Sequence, residues 1–234
     1  METLCQIRDR FISDCFNLLK VAREYDSFAH IVPNFLQHPE KLTFVPDKAD
    51  LIRKYEEMAK MPDSTERMIQ AQMIGEWRIF LTKVYEWHID RALQCGASRE
   101  IKVRLIIEVP TDLENGLHDS IRAQALQEFD RQDYDTQLDR VLGLLGRPIN
   151  KSHESIRFIK KHKVIRDVIQ HNRGKLRERD FEYLGLSKFD LSNGPGEGET
   201  TYRAGDVVVM KYREIDQLFK KLCEAAESLI PGPD

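Results

Sequence analysis

Cysteine is scarce in this sequence, and long apolar runs are missing. The four cysteines have no Cys-x-x-Cys spacing and no histidines at zinc-finger intervals, so neither a zinc site nor a disulfide framework is expected. No run of about 18 apolar residues could span a membrane, and there is no N-terminal run of signal-peptide type. We therefore expect a cytoplasmic protein with reduced thiols, no membrane partner, no metal and no cofactor.

The small net charge of -3 conceals a strong asymmetry along the chain. Between Arg147 and Arg179 there are 11 Lys and Arg residues against 3 Asp and Glu residues. This local charge of +8 leaves -11 for the remainder of the chain. A basic face on a mildly acidic protein indicates a polyanionic partner.

Apolar residues recur at helical spacing through most of the chain. The pattern predicts helices over 3–25, 47–60, 65–94, 117–129, 134–145, 152–172 and 212–229, and it favours a helix at the ambiguous segment 99–109. Prolines at 33, 39 and 46 are expected to break the region after the first helix, and 175–200 is expected to be a loop. Extended pieces at 200–203 and 206–210 predict a small hairpin.

These elements predict an all-α helical bundle with a minimal β-hairpin before the last helix. The length of 234 residues fits a single domain, 1–234. Residues 99–147 are a possible helical insertion, because 111–147 is more polar than its surroundings.

The basic stretch 152–174 carries both a helical apolar stripe and a cluster of polar residues. With Ile165 at zero and about 100° per residue, Phe158, Val168 and Ile169 fall within roughly 60° and predict a core stripe. Arg166 then lies at about 100° and His171 at about 240°, at opposite edges of a polar face. Between them lie Lys160, Lys163, Asp167 and Gln170.

The spacing Arg-x-x-x-x-His occurs twice, at Arg157…His162 and Arg166…His171, so the spacing alone is not specific. The second pair is preferred because Asp167 follows the arginine and is able to orient it or the histidine. The chain then continues as Asn172-Arg173-Gly174, which ends the helix and exposes its last turn. A two-fold axis through this face would bring two arginines and two histidines into one groove.

Such a groove has what RNA cleavage without a metal requires. Histidine can take the proton of a ribose 2′-hydroxyl or donate one to the leaving 5′-oxygen. Arginine can hold the phosphate through two hydrogen bonds. Neighbouring side chains suited to the RNA are Lys160, Lys161, Lys163, Gln170, Asn172, Arg173, Lys175, Arg177 and Arg179.

The run VIRDVIQHNRG resembles the motif of the HEPN (higher eukaryotes and prokaryotes nucleotide-binding) superfamily of helical domains. That motif is an Arg, a polar residue, three variable residues and a His near a helix end. The Gly205-Asp206 turn and the apolar run after it, before the helix at 212–229, also match the family pattern. The resemblance is specific over 150–230, which would be the motif-bearing core.

The resemblance implies a metal-independent endoribonuclease that acts as a homodimer through the 152–174 helix and cuts single-stranded RNA or tRNA loops. Arg166 and His171 would be catalytic and Asp167 would support them. The family is common among toxins of toxin–antitoxin systems and antiphage (antiviral) defence effectors, so an antitoxin or a defence protein is a possible partner.

Two other interpretations remain open from the sequence. The chain fits a non-catalytic HEPN module that binds a protein or a nucleotide through the same basic helix. It also fits a structural bundle in which His171 caps carbonyl groups at a helix end.

Overall fold

The computed structural model describes residues 2–37, 53, 64–95, 113–146, 151–193 and 198–232. In these residues the chain forms seven helices and a two-stranded antiparallel sheet, so the predicted class, all-α with a minimal hairpin before the last helix, is confirmed. The elements are α1 (Leu4–Gln37), α2 (Ser64–Cys95), α3 (Leu113–Asp130), α4 (Tyr134–Leu145), α5 (Glu154–Asn172), α6 (Glu178–Leu184), β1 (Phe189–Ser192), β2 (Glu199–Tyr202) and α7 (Tyr212–Leu229).

The chain divides into two compact units. The first comprises Met1–Ser13, Gly75–Ile156 and Leu222–Asp234, and the second comprises Asp14–Ile74 and Arg157–Lys221. The boundaries fall inside α1, α2, α5 and α7, so these four helices each contribute residues to both units. The predicted insertion at 99–147 stays a prediction, because 99–112 and 147 lie outside the described residues.

Aromatic side chains build the core of the first unit. Phe11, Trp77 and Phe80 lie with ring centroids 4.8 to 5.7 Å apart. The rings of Tyr85 and Phe129 stack at 4.3 Å. Such pairs add directional attraction to the burial of large apolar surfaces. Helix α2 therefore supplies three of the largest buried side chains of this unit.

Helix α4 shows why local signals fix some boundaries so well. Asp133 has an extended backbone, and its carboxylate accepts the N–H of Thr136 at 3.0 Å. Gly146 ends the helix in the left-handed conformation with φ 61°. An acceptor at the N-cap and a glycine after the last turn satisfy backbone groups that the helix leaves open.

The hairpin forms with a different partner from the one expected. Strand β2 pairs with β1, with Phe189 opposite Tyr202 and Ser192 opposite Glu199. The prediction that 175–200 is a loop was wrong, because α6 and β1 lie within it. Both elements form because they bury Phe181, Phe189 and Leu191. The glycines of this region hid the short apolar patterns of α6 and β1 in the sequence.

The helix bounds agree with the sequence pattern in most places. Helix α7 begins and ends where expected, and α2 differs by one residue at each end. The prediction that Pro33 breaks the chain was wrong, since α1 continues through it to Gln37. A proline removes one backbone donor and strains the preceding turn, and here that does not end the helix. The predicted helices at 47–60 and 99–109 lie outside the described residues, apart from Arg53.

Across the described ranges, no helix has both the length and the apolarity that crossing a lipid bilayer requires.

Replacing Tyr134 with Phe tests the core of the first unit. The indole N–H of Trp77 donates to the buried hydroxyl of Tyr134 at 3.2 Å. Without that acceptor the buried donor is unsatisfied, so we expect the free energy of unfolding to fall by about 1–3 kcal/mol. Urea denaturation measures it. The matched control is Tyr25→Phe, because Tyr25 is half-buried and its hydroxyl makes no hydrogen bond within the described residues. Equal stability of the two variants would contradict the role of this bond.

Candidate functional site

The end of α5 is set by a left-handed turn. Arg173 has φ 54° and Gly174 has φ 80°, and the N–H of Gly174 donates to the carbonyl of Val168 at 3.1 Å. This bond reaches six residues back along the chain to a carbonyl of α5 and closes the end of the helix. The chain reverses here, so the segment after Gly174 returns alongside α5. The turn thus keeps His171 in the last, exposed turn of the helix.

The reversed segment is fixed by the extended run before α7. The N–H of Val208 donates to the carbonyl of Gly174 at 3.0 Å, and the N–H of Leu176 donates to the carbonyl of Asp206 at 2.9 Å. The guanidinium of Arg67 on α2 donates to the carbonyl of Val208 at 2.7 Å. The run predicted as a hairpin strand at 206–210 therefore lies against residues 174–176.

A buried carboxylate connects α5 to the hairpin and to α7. Glu214 is 1% exposed, and its two oxygens accept the Lys161 ammonium at 2.9 Å, His162 Nε2 at 2.9 Å and the Ser192 N–H at 2.7 Å. Burial alone would raise the pKa of Glu214. The hydrogen bond and charge from His162, together with the charge and hydrogen bond from Lys161, lower it below its ordinary value. A buried charge of this kind is stable because it is fully paired.

His162 is fully buried on α5 and is part of the same network. Its Nε2 faces Glu214, and its Nδ1 lies 3.5 Å from the amide nitrogen of Gln70, which also donates to the His162 carbonyl at 2.7 Å. This arrangement assigns the neutral tautomer with the proton on Nε2. Burial lowers the pKa of His162, although its hydrogen bond to Glu214 opposes that shift. The pair Arg157…His162 therefore has a structural histidine.

A cleft of about 440 Å³ lies between α5 and the segment that follows it. Its volume falls within the range of small-ligand sites. The lining combines an imidazole, three cations and a tyrosine above buried valines. The lining residues are Lys163, Val164, Asp167, Val168, His171, Arg177, Arg179, Asp180 and Tyr183.

The three residues predicted as catalytic do not all meet in this cleft. His171 and Asp167 line it, whereas Arg166 does not. The carboxylate of Asp167 accepts the Lys163 ammonium at 2.9 Å and lies 4.0 Å from the guanidinium of Arg166. His171 is exposed and makes no hydrogen bond or ion pair within the described residues. Arg166 and His171 therefore do not meet in this cleft.

The residues predicted to bind RNA lie along the exposed and half-exposed side of α5 and its end. Gln170, Arg173 and Lys175 are exposed, and Asn172 is half-buried. The ammonium groups of Lys160 and Lys163 lie 4.1 and 5.5 Å from the ring centroid of Tyr183. Lysine over an aromatic ring is attracted by the negative face of the ring. Tyr183 thus gathers two cations at the rim of the cleft.

Two expectations for α5 need correction. Ile165 and Val168 are buried, but Phe158 and Ile169 are only half-buried, because the buried face shifts around the helix toward Ile156, Ile159 and His162 in its first half. Lys161 is 11% exposed and pairs with Glu214, so it does not belong to the set suited to an RNA backbone.

Two cleft residues had no role in the sequence interpretation. Tyr183 and Asp180 lie on α6, a helix that the glycine-rich surroundings concealed. Asp180 is 11% exposed and lies 3.5 Å from Nε of Arg177 and 4.0 Å from Nε of Arg179. A usable signal was the acidic first turn with Asp180 three residues after Arg177, followed by Gly185 after the last turn.

In the part of the chain that the structure describes, no three His, Cys, Asp or Glu side chains are grouped so that they would hold a metal ion.

Comparison of the chain with protein-family models, with curated proteins and with solved structures gives no match.

The buried pair His162–Glu214 predicts acid sensitivity. Because the pKa of His162 is lowered in the folded state, its contribution is present above the ordinary value of 6.5 and is lost as the pH falls below it. Glu214 contributes in the same direction only below its ordinary value of 4.5. Thermal or urea unfolding between about pH 7.5 and about pH 5 should therefore show stability falling by up to about 1.4 kcal/mol per pH unit.

The variant His162→Gln should lose this component of the pH dependence, whereas His153→Gln, at an exposed position, should keep it. The same slope in His162→Gln and in the wild type would contradict the assignment.

Proposed function

We propose that this chain is a metal-independent endoribonuclease that cleaves single-stranded RNA or tRNA loops. The proposal joins the Arg166…His171 pair and its resemblance to HEPN ribonucleases with the chemistry of the cleft. Its expected setting is that of a toxin or an antiphage-defence effector that acts as a homodimer through α5.

The observation that carries the proposal is the position of His171. Its imidazole is exposed, has no partner within the described residues, and lines the same cleft as Lys163, Arg177 and Arg179. A structural histidine is expected to bond a carbonyl or a carboxylate, as His162 in the middle of α5 does. An unpartnered imidazole among cations is instead suited to proton transfer beside a phosphate.

The reaction uses groups that the RNA and the protein both supply. The ribose 2′-oxygen attacks the phosphorus, the bond from phosphorus to the 5′-oxygen breaks, and a 2′,3′-cyclic phosphate and a 5′-hydroxyl form. One His171 takes the 2′-hydroxyl proton, and a second, protonated His171 from a two-fold partner gives a proton to the leaving 5′-oxygen. Unpaired RNA is the expected substrate, because its sugars reach the in-line geometry that this attack needs.

Arg166 has a separate role in this scheme. Its side chain is 28% exposed, lies beside Asp167 and is not among the residues that line the cleft. Pairing of two α5 faces would bring Arg166 of one copy toward His171 of the other. The guanidinium would then stabilise the charge that builds on the equatorial phosphate oxygens.

The second candidate is a non-catalytic helical module that binds a protein or a nucleotide through the same face. The absence of Arg166 from the cleft lining favours it, because one chain does not bring together the motif pair. It predicts no cleavage of any RNA, and binding that weakens steeply with salt.

Replacing His171 with Ala tests the enzyme directly. In the presence of EDTA, we expect the rate of cleavage of a single-stranded RNA to fall by about 10²–10⁴, because the proton transfer is lost. Circular dichroism should be unchanged, since the side chain is exposed. The matched control is His153→Ala, which should cut like the wild type. Full activity of His171→Ala would exclude the proposed chemistry.

Replacing Arg166 with Ala tests the motif arginine. The cleavage rate at saturating RNA should fall by about 10²–10³ while RNA binding changes little, because the interaction strengthens in the transition state. Arg157→Ala is the control, since it removes an exposed arginine of the same spacing on the same helix. Equal decreases in the two variants would show a general effect of charge and contradict the role of Arg166.

A further inference from the structure

The cleft is already basic without a second copy. Both of its carboxylates are paired inside one chain, Asp167 with Lys163 at 2.9 Å and Asp180 with Arg177 at 3.5 Å. The lining therefore has three cations against two acids, next to His171. Lys160 adds a further cation at the rim through its contact with Tyr183.

The two arginines form ion pairs with Asp180, whose carboxylate also accepts the backbone N–H of Arg177 at 2.9 Å. Nε of Arg177 lies 3.5 Å and Nε of Arg179 lies 4.0 Å from this carboxylate, so both contacts are ion pairs without a hydrogen bond. The terminal nitrogens of the two arginines make no hydrogen bond within the described residues. Their side chains are 41% and 68% exposed. A guanidinium that a carboxylate orients on one edge presents its other edge as a fork, and that fork matches two oxygens of a phosphate.

We propose that Arg177 and Arg179 bind a phosphate of a single-stranded RNA within the cleft of one chain, adjacent to the phosphate that is cut. The identity of the ligand rests on the proposed function, whereas the binding itself does not require cleavage. The charge of Asp180 attracts both guanidiniums to this side of the cleft, and the ring of Tyr183 attracts Lys160 and Lys163. Arg177 and Arg179 therefore contribute to binding of the uncut RNA, and Arg166 stabilises the transition state of cleavage.

One chain supplies all of the residues that form this phosphate site. Both walls of the cleft come from residues 163–183, and the turn at Arg173 and Gly174 holds them together. The buried valines at the floor, Val164 and Val168, fix the α5 wall in the core. Such a site is complete before any two copies meet, so RNA should bind to a monomer.

The test measures binding without cleavage. The probe is a fluorescein-labelled, single-stranded RNA with 2′-O-methyl sugars, which lack the attacking hydroxyl, and its anisotropy is followed at several salt concentrations. We expect the double variant Arg177→Gln/Arg179→Gln to bind at least roughly tenfold more weakly. The slope of log K against log salt should shrink by about 0.7 for each phosphate that the variant no longer neutralises.

The matched control removes the same charge elsewhere. Arg203 and Arg213 are exposed arginines outside the cleft lining, and Arg203→Gln/Arg213→Gln should bind within about twofold of the wild type. Arg177→Lys/Arg179→Lys keeps the charge and removes the fork, so it should be intermediate. If the double glutamine variant fails to fold, Arg179→Gln alone should still weaken binding, because that side chain is largely exposed.

Wild-type affinity in the cleft variants, or equal weakening in the cleft and control variants, would overturn the inference. If no RNA is cut but the cleft variants bind the probe more weakly, the proposed function fails and this site stands. If His171→Ala abolishes cleavage while the cleft variants bind and cut like the wild type, the enzyme stands and this site fails.

Discussion

The buried carboxylate of Glu214 is the constraint on which the second unit depends. It is removed from water, and it is satisfied by three donors from α5 and β1: Lys161, His162 and the Ser192 N–H. Removal of any one donor would leave the buried charge incompletely paired. The cost in free energy of unfolding would exceed the net contribution of an ordinary hydrogen bond. This requirement fixes the rotation of α5 about its axis. Because Lys161 and His162 face inward, Lys163, Asp167 and His171 line the cleft, and Lys160 lies at its rim against Tyr183. A core interaction thus determines which side chains the surface presents.

Local chemistry explains why several elements could be predicted from the sequence. Helix α4 begins at an acceptor, Asp133, and ends at a left-handed glycine, and both signals lie next to the boundaries that they set. The apolar stripe of α7 likewise gives its bounds directly. The partner of β2 could not be found in this way, because extended pieces of similar composition lie on both sides of it. Strand β1 is fixed by contacts that are more distant in the sequence, such as the bond from the Ser192 N–H to Glu214, 22 residues away.

The candidate site also has features that the sequence predicts and features that it does not. The opposite placement of Arg166 and His171 follows from helical angles alone, and so does the inward position of His162, which lies about 60° from Ile165. The burial of His162 could therefore have been read from the sequence, whereas its partner Glu214, 52 residues away, could not. The cleft could not be predicted from the sequence, because it depends on the chain reversal at Arg173 and on the formation of α6. A non-glycine residue in the left-handed conformation gives no strong sequence signal, since such residues are uncommon there.

The pairing of cations within the basic stretch changes what its charge can do. Lys151 pairs with Asp139, Lys161 with Glu214, and the two arginines of the cleft lie beside Asp180. Asp139 and Glu214 lie outside the segment between Arg147 and Arg179, and so does Asp180, so none of them is seen when charges are counted along that segment. The electric field at a distance is consequently weaker than a local charge of +8 suggests. If the cleft binds a phosphate as proposed, attraction of a polyanion over long range would be modest, and affinity would arise only after the phosphate has reached the cleft. Recognition of this kind favours a ligand whose shape matches the cleft and disfavours a ligand that is only highly charged.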